Sequence, residues 1–383
     1  MLHRILLALA LLCTSVAPLR AGPIENLRPG EWYQVPNSKL QDKFPNPIPP
    51  GNGPEMIMTG WSGGAYDSKR DRLIVWGGGH ADYSGNEIYV FDVNTLVWQR
   101  LTNPSADVGG NEISGYYPDG QPRSRHTYAD LQYLGPPFDR FCAFGGASLY
   151  PASSVVPNVD CFNFDTVQWS RYRDKPQPGN GYGECSAYDP VRGHGWSHGV
   201  ASGSRLREFD PIANTWTLRG ELGSAGDVYL ASAEIDPVRR RFIAIGGAFG
   251  LAVSWNIDAP GTLTRTNLAT TGATSIQNEE SFGLTYDSAS DRFVAWNGGA
   301  DVYVLNLDTL VWSRVSPAAT NQVIPTAANR NGTFGRFRYM PSKNAFIVVN
   351  QTYEDVYIYK LSAGGGSPTD SIPPASTSDL RPR

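Results

Sequence analysis

The sequence predicts an all-β protein, a six-bladed β-propeller. An apolar run that ends in a Tyr-Asp type of turn recurs six times along the chain, and each copy leads into a second run that is usually closed by an aromatic residue. The copies lie about 50 residues apart and each has room for four short strands, which is typical of a propeller blade. The 41 glycines and many aromatic residues suit a protein with tight turns and aromatic packing.

The first copy shows the repeat most clearly. A strand that ends at Tyr66 and Asp67 is followed by an apolar run over 72–78, a third run over 87–92, and Trp98 in the fourth. Aligned on the turn aspartate and the Gly-Gly pair, the predicted blades cover about 57–103, 123–174, 181–220, 227–269, 279–317 and 331–362. The fourth copy has no closing tryptophan.

The sixth copy lacks its fourth strand, and the other end of the chain supplies a candidate. Residues 30–35 read as a strand, and Trp32 stands where a blade-closing tryptophan belongs. Pairing the first and last strands in one blade closes the ring and removes two exposed sheet edges. The sequence therefore predicts a closed ring in which an N-terminal strand completes the last blade.

The two chain ends read as segments outside the propeller domain, which is assigned to 22–362. Residues 1–21 resemble a signal peptide, with Arg4, an apolar core over 5–12 and a cleavage site after Ala21. The tail 363–383 is rich in Gly, Ser and Pro and is expected to be disordered. Export predicts a secreted or periplasmic protein.

Charge excludes some partners. Removing 1–21 takes away Arg4 and Arg20, which leaves 30 basic and 36 acidic residues and a net charge of −6. No basic run suggests nucleic acid, and no segment after residue 21 suggests a membrane span. The protein is expected to be a monomer.

Three cysteines remain after signal removal. Cys142 and Cys161 lie in the second and third strands of blade 2, each about four residues from the connecting loop, so they are predicted to face each other in a disulfide. Cys185 is then free and buried. The alternative is three reduced, buried cysteines. No Cys/His spacing resembles a zinc site, and neither a metal ion nor a cofactor is expected.

Loop length predicts which face binds a ligand. The loops that enter the first strand and those that join strands two and three share one face of a propeller, and in this chain they are the long ones. Long loops on a rigid scaffold commonly carry binding sites.

The loop between strands two and three of blade 1 carries the first candidate cluster. No other blade places so many functional side chains there. His80 and Tyr83 are candidate proton-transfer groups, and Asp82 and Asn86 are candidate ligand-binding groups. The alternative is structural: these side chains cap a tight turn or bond the backbone across blades.

The second cluster opens blade 2. Arg125 and His126 belong to the blade next to His80 and to the same face, and both are candidate catalytic residues. Alternatively, they bond neighbouring blades. Corresponding entry positions in the other blades add candidate ligand-binding residues suited to a hydroxyl-rich ligand: Tyr182, Glu184, Glu279, Glu280 and Arg336. His198, which ends the second strand of blade 3 where other blades have Gly-Gly, is a further candidate on the same face.

The Gly-Gly, Tyr-Asp and aromatic-Trp signature over about 30–362 resembles the kelch repeat of galactose-oxidase-like propellers. That resemblance implies the fold, and it implies function only by analogy, since kelch propellers serve as enzymes and as scaffolds. If the chain is similar to propeller polysaccharide lyases, Arg125 neutralises a uronate and His80 or His126 moves protons with Tyr83. The alternative is a non-catalytic protein-interaction scaffold, favoured by the Tyr-rich loop 111–117. The predicted partner is thus a carbohydrate or a protein.

Overall fold

The structure is a computed structural model, and it describes residues 22–80, 82–106, 115–147, 150–151, 154–176, 181–200, 205–220 and 228–362. The predicted signal peptide and tail lie outside these residues, as does the first part of the Tyr-rich loop. The assignments of these segments therefore stay predictions.

Strands dominate the described residues. In chain order they are β1 (Glu31–Gln34), β2 (Gly64–Asp67), β3 (Arg72–Val75), β4 (Tyr89–Asp92), β5 (Val97–Arg100), β6 (Leu131–Leu134), β7 (Arg140–Gly146), β8 (Val156–Asn163), β9 (Gln168–Tyr172), β10 (Cys185–Asp189), β11 (His194–His198), β12 (Leu206–Asp210), β13 (Thr215–Leu218), β14 (Ala231–Asp236), β15 (Arg241–Gly246), β16 (Leu251–Asn256), β17 (Thr266–Asn267), β18 (Thr271–Gly272), β19 (Gly283–Asp287), β20 (Arg292–Trp296), β21 (Val302–Asn306), β22 (Val311–Val315), β23 (Phe337–Met340), β24 (Ala345–Val348) and β25 (Tyr357–Lys360). The helical elements are one short α-helix, α1 (Met56–Thr59), and 3₁₀ turns at Leu40–Lys43, Thr274–Asn278, Phe334–Arg336 and Pro341–Lys343.

The strands form six antiparallel sheets, one per blade. Five have the orders β2-β3-β4-β5, β6-β7-β8-β9, β10-β11-β12-β13, β14-β15-β16-β17 and β1-β25-β24-β23; the sheet β19-β20-β21-β22 carries β18 as a parallel fifth strand. The first strands of consecutive blades contact each other all the way round, from β2 through β6, β10, β14, β19 and β23 back to β2. The prediction of a closed six-bladed propeller is confirmed.

The repeated aspartate builds the turn between the first two strands. Asp67 is buried and its Oδ1 accepts hydrogen bonds from the amides of Lys69 and Arg70, at 3.1 Å each. The equivalent turns of other blades repeat this contact at Asp189, Asp236 and Asp287. The short aspartate side chain accepts hydrogen bonds from the amides that follow it in the chain, which favours a turn over continuation of the strand. In these four blades the aspartate therefore fixes where the hairpin reverses.

Closure of the ring follows the predicted arrangement. β1 pairs antiparallel with β25, and Trp32 lies opposite Tyr359. The two rings are 4.7 Å apart, and the Trp32 indole N–H donates to the carbonyl of Ala300 in blade 5 at 2.9 Å. The closing strand thus holds blade 6 and also reaches its neighbour.

The core lies between blades rather than inside any one of them. One hydrophobic cluster joins Ile74 and Trp76 of blade 1 to Phe141 and Phe162 of blade 2, and another joins blades 5 and 6. Each blade therefore buries its faces only by packing against its neighbours.

A ring of left-handed residues surrounds the axis where the chain enters the first strands. It has one member per blade, each five positions before Tyr66 or its equivalent, with φ between 47° and 61°: Trp61, Tyr128, Gly183, Leu230, Ser281 and Phe334. Backbone hydrogen bonds of 2.8–3.0 Å link four neighbouring pairs of this ring. The rings of Tyr128 and Phe334 pack edge to face, and Leu230 joins their cluster.

The predicted disulfide is present. Cys142 and Cys161 face each other in the β7–β8 pair and are bonded, while Cys185 is free and buried.

Replacing Trp32 with alanine is expected to lower the free energy of unfolding by about 3–5 kcal/mol, because the indole is 3% exposed and closes the ring. Trp216→Ala is the matched control: it occupies the same repeat position in blade 3 and is only partly buried. We expect a clearly smaller loss there in urea unfolding followed by circular dichroism. Equal losses would contradict a special role for the closing strand.

Candidate functional site

A cleft of about 830 Å³ opens where blade 6 meets blade 1. Its lining comes from the segments that enter the first strands of these blades, from their loops between strands two and three, and from the segment after β1. These are the loop classes that the sequence analysis placed on the binding face. The lining residues are Gln41, Phe44, Glu55, Met56, Thr59, Trp61, Asp82, Asn329, Arg330, Asn331, Gln351, Thr352 and Tyr353.

Amide and aromatic side chains give the cleft its character. The Asn331 amide donates to the carbonyl of Thr59 at 2.6 Å, which ties the blade 6 side of the cleft to the blade 1 side. Tyr353 is 55% exposed, a high value for an aromatic side chain. The lining therefore offers flat apolar surface beside hydrogen-bonding groups.

A histidine–carboxylate pair stands at the edge of this cleft. The Nε2 atom of His126 lies 2.8 Å from Oδ2 of Asp82, and the ring of Trp61 lies 5.0 Å from the imidazole. Asp82 is 17% exposed and lines the cleft, whereas the His126 side chain is 6% exposed and lies behind it. The carboxylate is thus the member of the pair that a ligand meets first.

The loop geometry that presents Asp82 follows from the glycine run. Gly77, Gly78 and Gly79 all have positive φ, and a turn closes when the Asp82 amide donates to Gly79 at 2.8 Å. The Asp82 carbonyl in turn accepts from the amide of Asn52 at 2.6 Å. Backbone bonds on both sides hold the carboxylate in place.

The proton of the pair has a defined position. An ionised carboxylate only accepts, so Nε2 of His126 carries the shared hydrogen and Nδ1 keeps the lone pair. Burial lowers the pKa of His126; the bond to Asp82 opposes this shift and the neighbouring His80 adds to it. The imidazole is therefore neutral at neutral pH, and its contact with Oδ2 orients the Asp82 side chain.

His80 completes this corner of the site. Its ring is partly buried, lies 6.2 Å from that of His126, and sits on a backbone with φ of 49°. Within the described residues no group of three or more His, Cys, Asp or Glu side chains is arranged to hold a metal ion.

Tyr83 and Asn86, from the same loop, occupy structural positions. The Tyr83 hydroxyl is buried and donates to Glu87 at 2.6 Å, and burial raises the pKa of both groups. The Asn86 amide donates to Ser105 and to the carbonyl of Pro122, at 3.0 Å each. Neither residue lines the cleft. That they act on a ligand therefore stays a prediction, and no contact among the described residues supports it.

The two candidate arginines are fully buried. Arg125 pairs with Asp160, and Arg336 donates to five backbone carbonyls, among them Met58 in blade 1 and Val349 in blade 6. Burial lowers the pKa of Arg336 to about 9, which still leaves it charged at neutral pH. Arg336 therefore bonds neighbouring blades. The Arg125–Asp160 pair lies within blade 2, and the Arg125 guanidinium reaches blade 1 only through the ring of Trp76, 5.3 Å away.

Glu184 belongs to a buried ionic cluster between blades 2 and 3. Its carboxylate accepts from Lys175, whose ammonium also lies 3.3 Å from Asp130 and 2.9 Å from the carbonyl of Phe144. Burial raises the pKa of Asp130 to about 7, with Lys175 opposing the shift and Glu184 adding to it. Glu184 thus fastens two blades together.

The remaining candidates are dispersed over the same face. Tyr182 packs on the aromatic cluster around Tyr128. His198 is 3% exposed, bonds the carbonyl of Gly199 and packs on Trp255. Glu279 and Glu280 are exposed at the entry of blade 5, outside the cleft lining.

Three prominent cleft residues are not among the residues predicted from the sequence. Trp61, Arg330 and Tyr353 line the cleft but come from segments almost three hundred residues apart in the chain. One feature of the sequence could have identified them. Once the ring is closed, Asn331 and its neighbours enter blade 6 directly beside the segment that enters blade 1.

Comparisons with known proteins support the fold. The chain matches a solved structure of YjhT with a TM-score of 0.52 and 14% identity, over 81% of this chain and 95% of that one. It also matches a fungal alcohol oxidase of the AA5 family in complex with copper, with a TM-score of 0.47 and 13% identity, over 78% of this chain and 62% of the oxidase. No protein-family model and no curated protein matches the sequence.

The blade architecture and the likeness to YjhT define the class by fold alone. The chain is a six-bladed β-propeller. No helix among the residues described is long and apolar enough to cross a membrane.

Asp130 is expected to make stability fall as pH rises from about 4 to about 7. Its pKa is higher in the folded protein than the ordinary 3.8, so the folded state holds the proton more tightly, and that stabilisation is lost as pH passes the folded value. The Asp130→Asn variant should lack this component, which is on the order of 4 kcal/mol. Urea unfolding of both proteins across this pH range checks it. Parallel pH profiles would show that Asp130 titrates normally.

Proposed function

We propose that this protein binds carbohydrate in the cleft between blades 6 and 1 and functions outside the cytoplasm. The observation that carries the proposal is the Asp82–His126 pair beside Trp61, at the edge of a cleft lined by amide and aromatic side chains.

Carbohydrate is the ligand class that suits this lining best. A sugar presents hydroxyl groups that both donate and accept, together with apolar ring faces. Asn329, Asn331 and Gln351 carry amides, Asp82 accepts, and Tyr353 and Trp61 provide flat apolar surface. A mainly apolar ligand would cover these polar groups without offering them a hydrogen bond.

Within the pair, Asp82 contacts the ligand and His126 positions it. A carboxylate held by a neutral imidazole is a fixed acceptor for a sugar hydroxyl, and it is also the group placed to take up a proton. The same geometry would serve a lyase or an epimerase acting on the bound sugar. His80 and His126 keep their predicted proton-transfer role in this proposal as neighbours of Asp82.

The disulfide supports export. Disulfides persist in oxidising compartments and are rare in the cytosol, so the Cys142–Cys161 bond fits the predicted signal peptide.

A protein-binding scaffold is the second candidate. Tyr229 and Phe249 are 38% and 66% exposed on the strand-entry face of blade 4, away from the cleft. Exposed aromatics of this kind are enriched at protein interfaces.

A screen of the purified protein against neutral and acidic polysaccharides tests the proposal, with binding and new unsaturated-uronate absorbance as the two readouts. Asp82→Asn should weaken binding about tenfold, because the variant keeps the shape but loses a charged acceptor. Glu279→Gln is the matched control, an exposed carboxylate on the same face and outside the cleft. Equal effects of the two variants, or no binding of any polysaccharide, would refute the proposal.

Tyr353→Ala should weaken saccharide binding by about 1 kcal/mol, since it removes an exposed aromatic surface from the cleft. Tyr229→Ala changes an exposed tyrosine outside the cleft and should leave saccharide affinity unchanged. Titration calorimetry of both variants with the best binder from the screen measures the difference. The reverse order of effects would contradict a site in this cleft and would move saccharide binding to blade 4.

A further inference from the structure

The cleft lining contains an arginine, Arg330, that has no ion-pair partner among the described residues. Arg330 is exposed on the cleft lining and makes no hydrogen bond or ion pair with any residue in the described part of the chain. Its neighbours in blade 6 differ: Arg336 is saturated by backbone carbonyls, and Arg338 pairs with Glu234 at 2.9 Å. Among these arginines, Arg330 is the one with its donors available to a ligand.

The charges around Arg330 are unevenly distributed. Glu55 and Asp82 line the cleft from the blade 1 side, whereas Arg330 comes from the blade 6 side. Asp82 is engaged by His126. An anionic group on a ligand is therefore repelled from the blade 1 side and attracted to the blade 6 side, which orients the ligand across the cleft.

The guanidinium group favours one chemistry for that anionic group. Its planar, fork-like set of donors matches the two oxygens of a carboxylate in a paired hydrogen bond. An arginine exposed on a convex surface is usually only solvated, but Arg330 lines a cleft that also contains amides and aromatic rings. The sequence analysis gave the role of carboxylate recognition to Arg125, which the structure instead buries against Asp160.

We propose that Arg330 selects saccharides that carry a carboxylate, with the acid group at Arg330 and the hydroxyl groups towards Asp82. This inference rests on the proposed carbohydrate function and deepens it. It assigns specificity to a residue from blade 6 and hydroxyl recognition to the loop of blade 1.

The test uses matched pairs of oligosaccharides in which the acidic sugar has a carboxylate where the neutral sugar has a primary alcohol. The pairs are galactose and galacturonate oligomers, and mannose and mannuronate oligomers. Titration calorimetry of the full chain should show at least one acidic member binding about tenfold more tightly than its neutral partner. Arg330→Ala should abolish that preference and change affinity for the neutral partner less than twofold. Arg330→Lys should retain part of it, since the charge remains and the paired geometry is lost.

Arg173→Ala is the matched control, because it removes an exposed arginine from blade 2 and changes net charge equally. Its preference should equal that of the unmodified protein. If acidic and neutral members bind alike, or Arg330→Ala keeps the preference, the inference is wrong while the carbohydrate proposal stands. If the folded protein binds none of these oligosaccharides and none of the polysaccharides in the screen, the carbohydrate proposal is wrong and the inference is wrong with it.

Discussion

Closure of the ring is the constraint on which the rest of the structure depends. Each blade buries its apolar faces only against its neighbours, so an open array would leave two such faces and two strand edges in water. The pairing of β1 with β25, with Trp32 packed against Tyr359, covers both at once. It also brings the segment after β1 beside blade 6, where the cleft forms.

One buried side chain transmits that closure to the site. Arg336 donates to carbonyls at Met58 and Ser62 on the blade 1 side and at Gly332, Val349 and Asn350 on the blade 6 side. Cleft residues are close neighbours of these carbonyls along the chain. An arginine that the sequence suggested as a ligand-binding group thus holds the two sides of the cleft in fixed positions.

The fold could be predicted from the sequence because its determinants are local and repeated. The aspartate at Asp67 and its equivalents satisfies its own turn, and the distances of Cys142 and Cys161 from their connecting loop determine that they face each other. The site could be predicted only in part. Asp82 was identified because blade 1 departs from the repeat at this loop. His126 was identified because it enters the neighbouring blade on the same face.

The rest of the site could not be predicted for a physical reason. Propellers fasten blades together with buried polar groups on the strand-entry face, and these have the same residue types as ligand contacts. Glu184 belongs to that class, since Lys175 neutralises it between blades 2 and 3. Arg125 is likewise buried, but its partner Asp160 lies in its own blade. Trp61, Arg330 and Tyr353 share no local pattern, and only the closed ring places them together.

The cleft lies where the last blade meets the first, and this position has a consequence for how the protein is made. Phe44 leaves the ribosome early, whereas Tyr353 is among the last residues of the propeller to be synthesised. Both sides of the cleft therefore exist only after the final blade is complete. A nascent or truncated chain that ends before this blade lacks about half of the cleft lining. A ligand that contacts both sides of the cleft therefore binds the complete propeller and not the shorter chains.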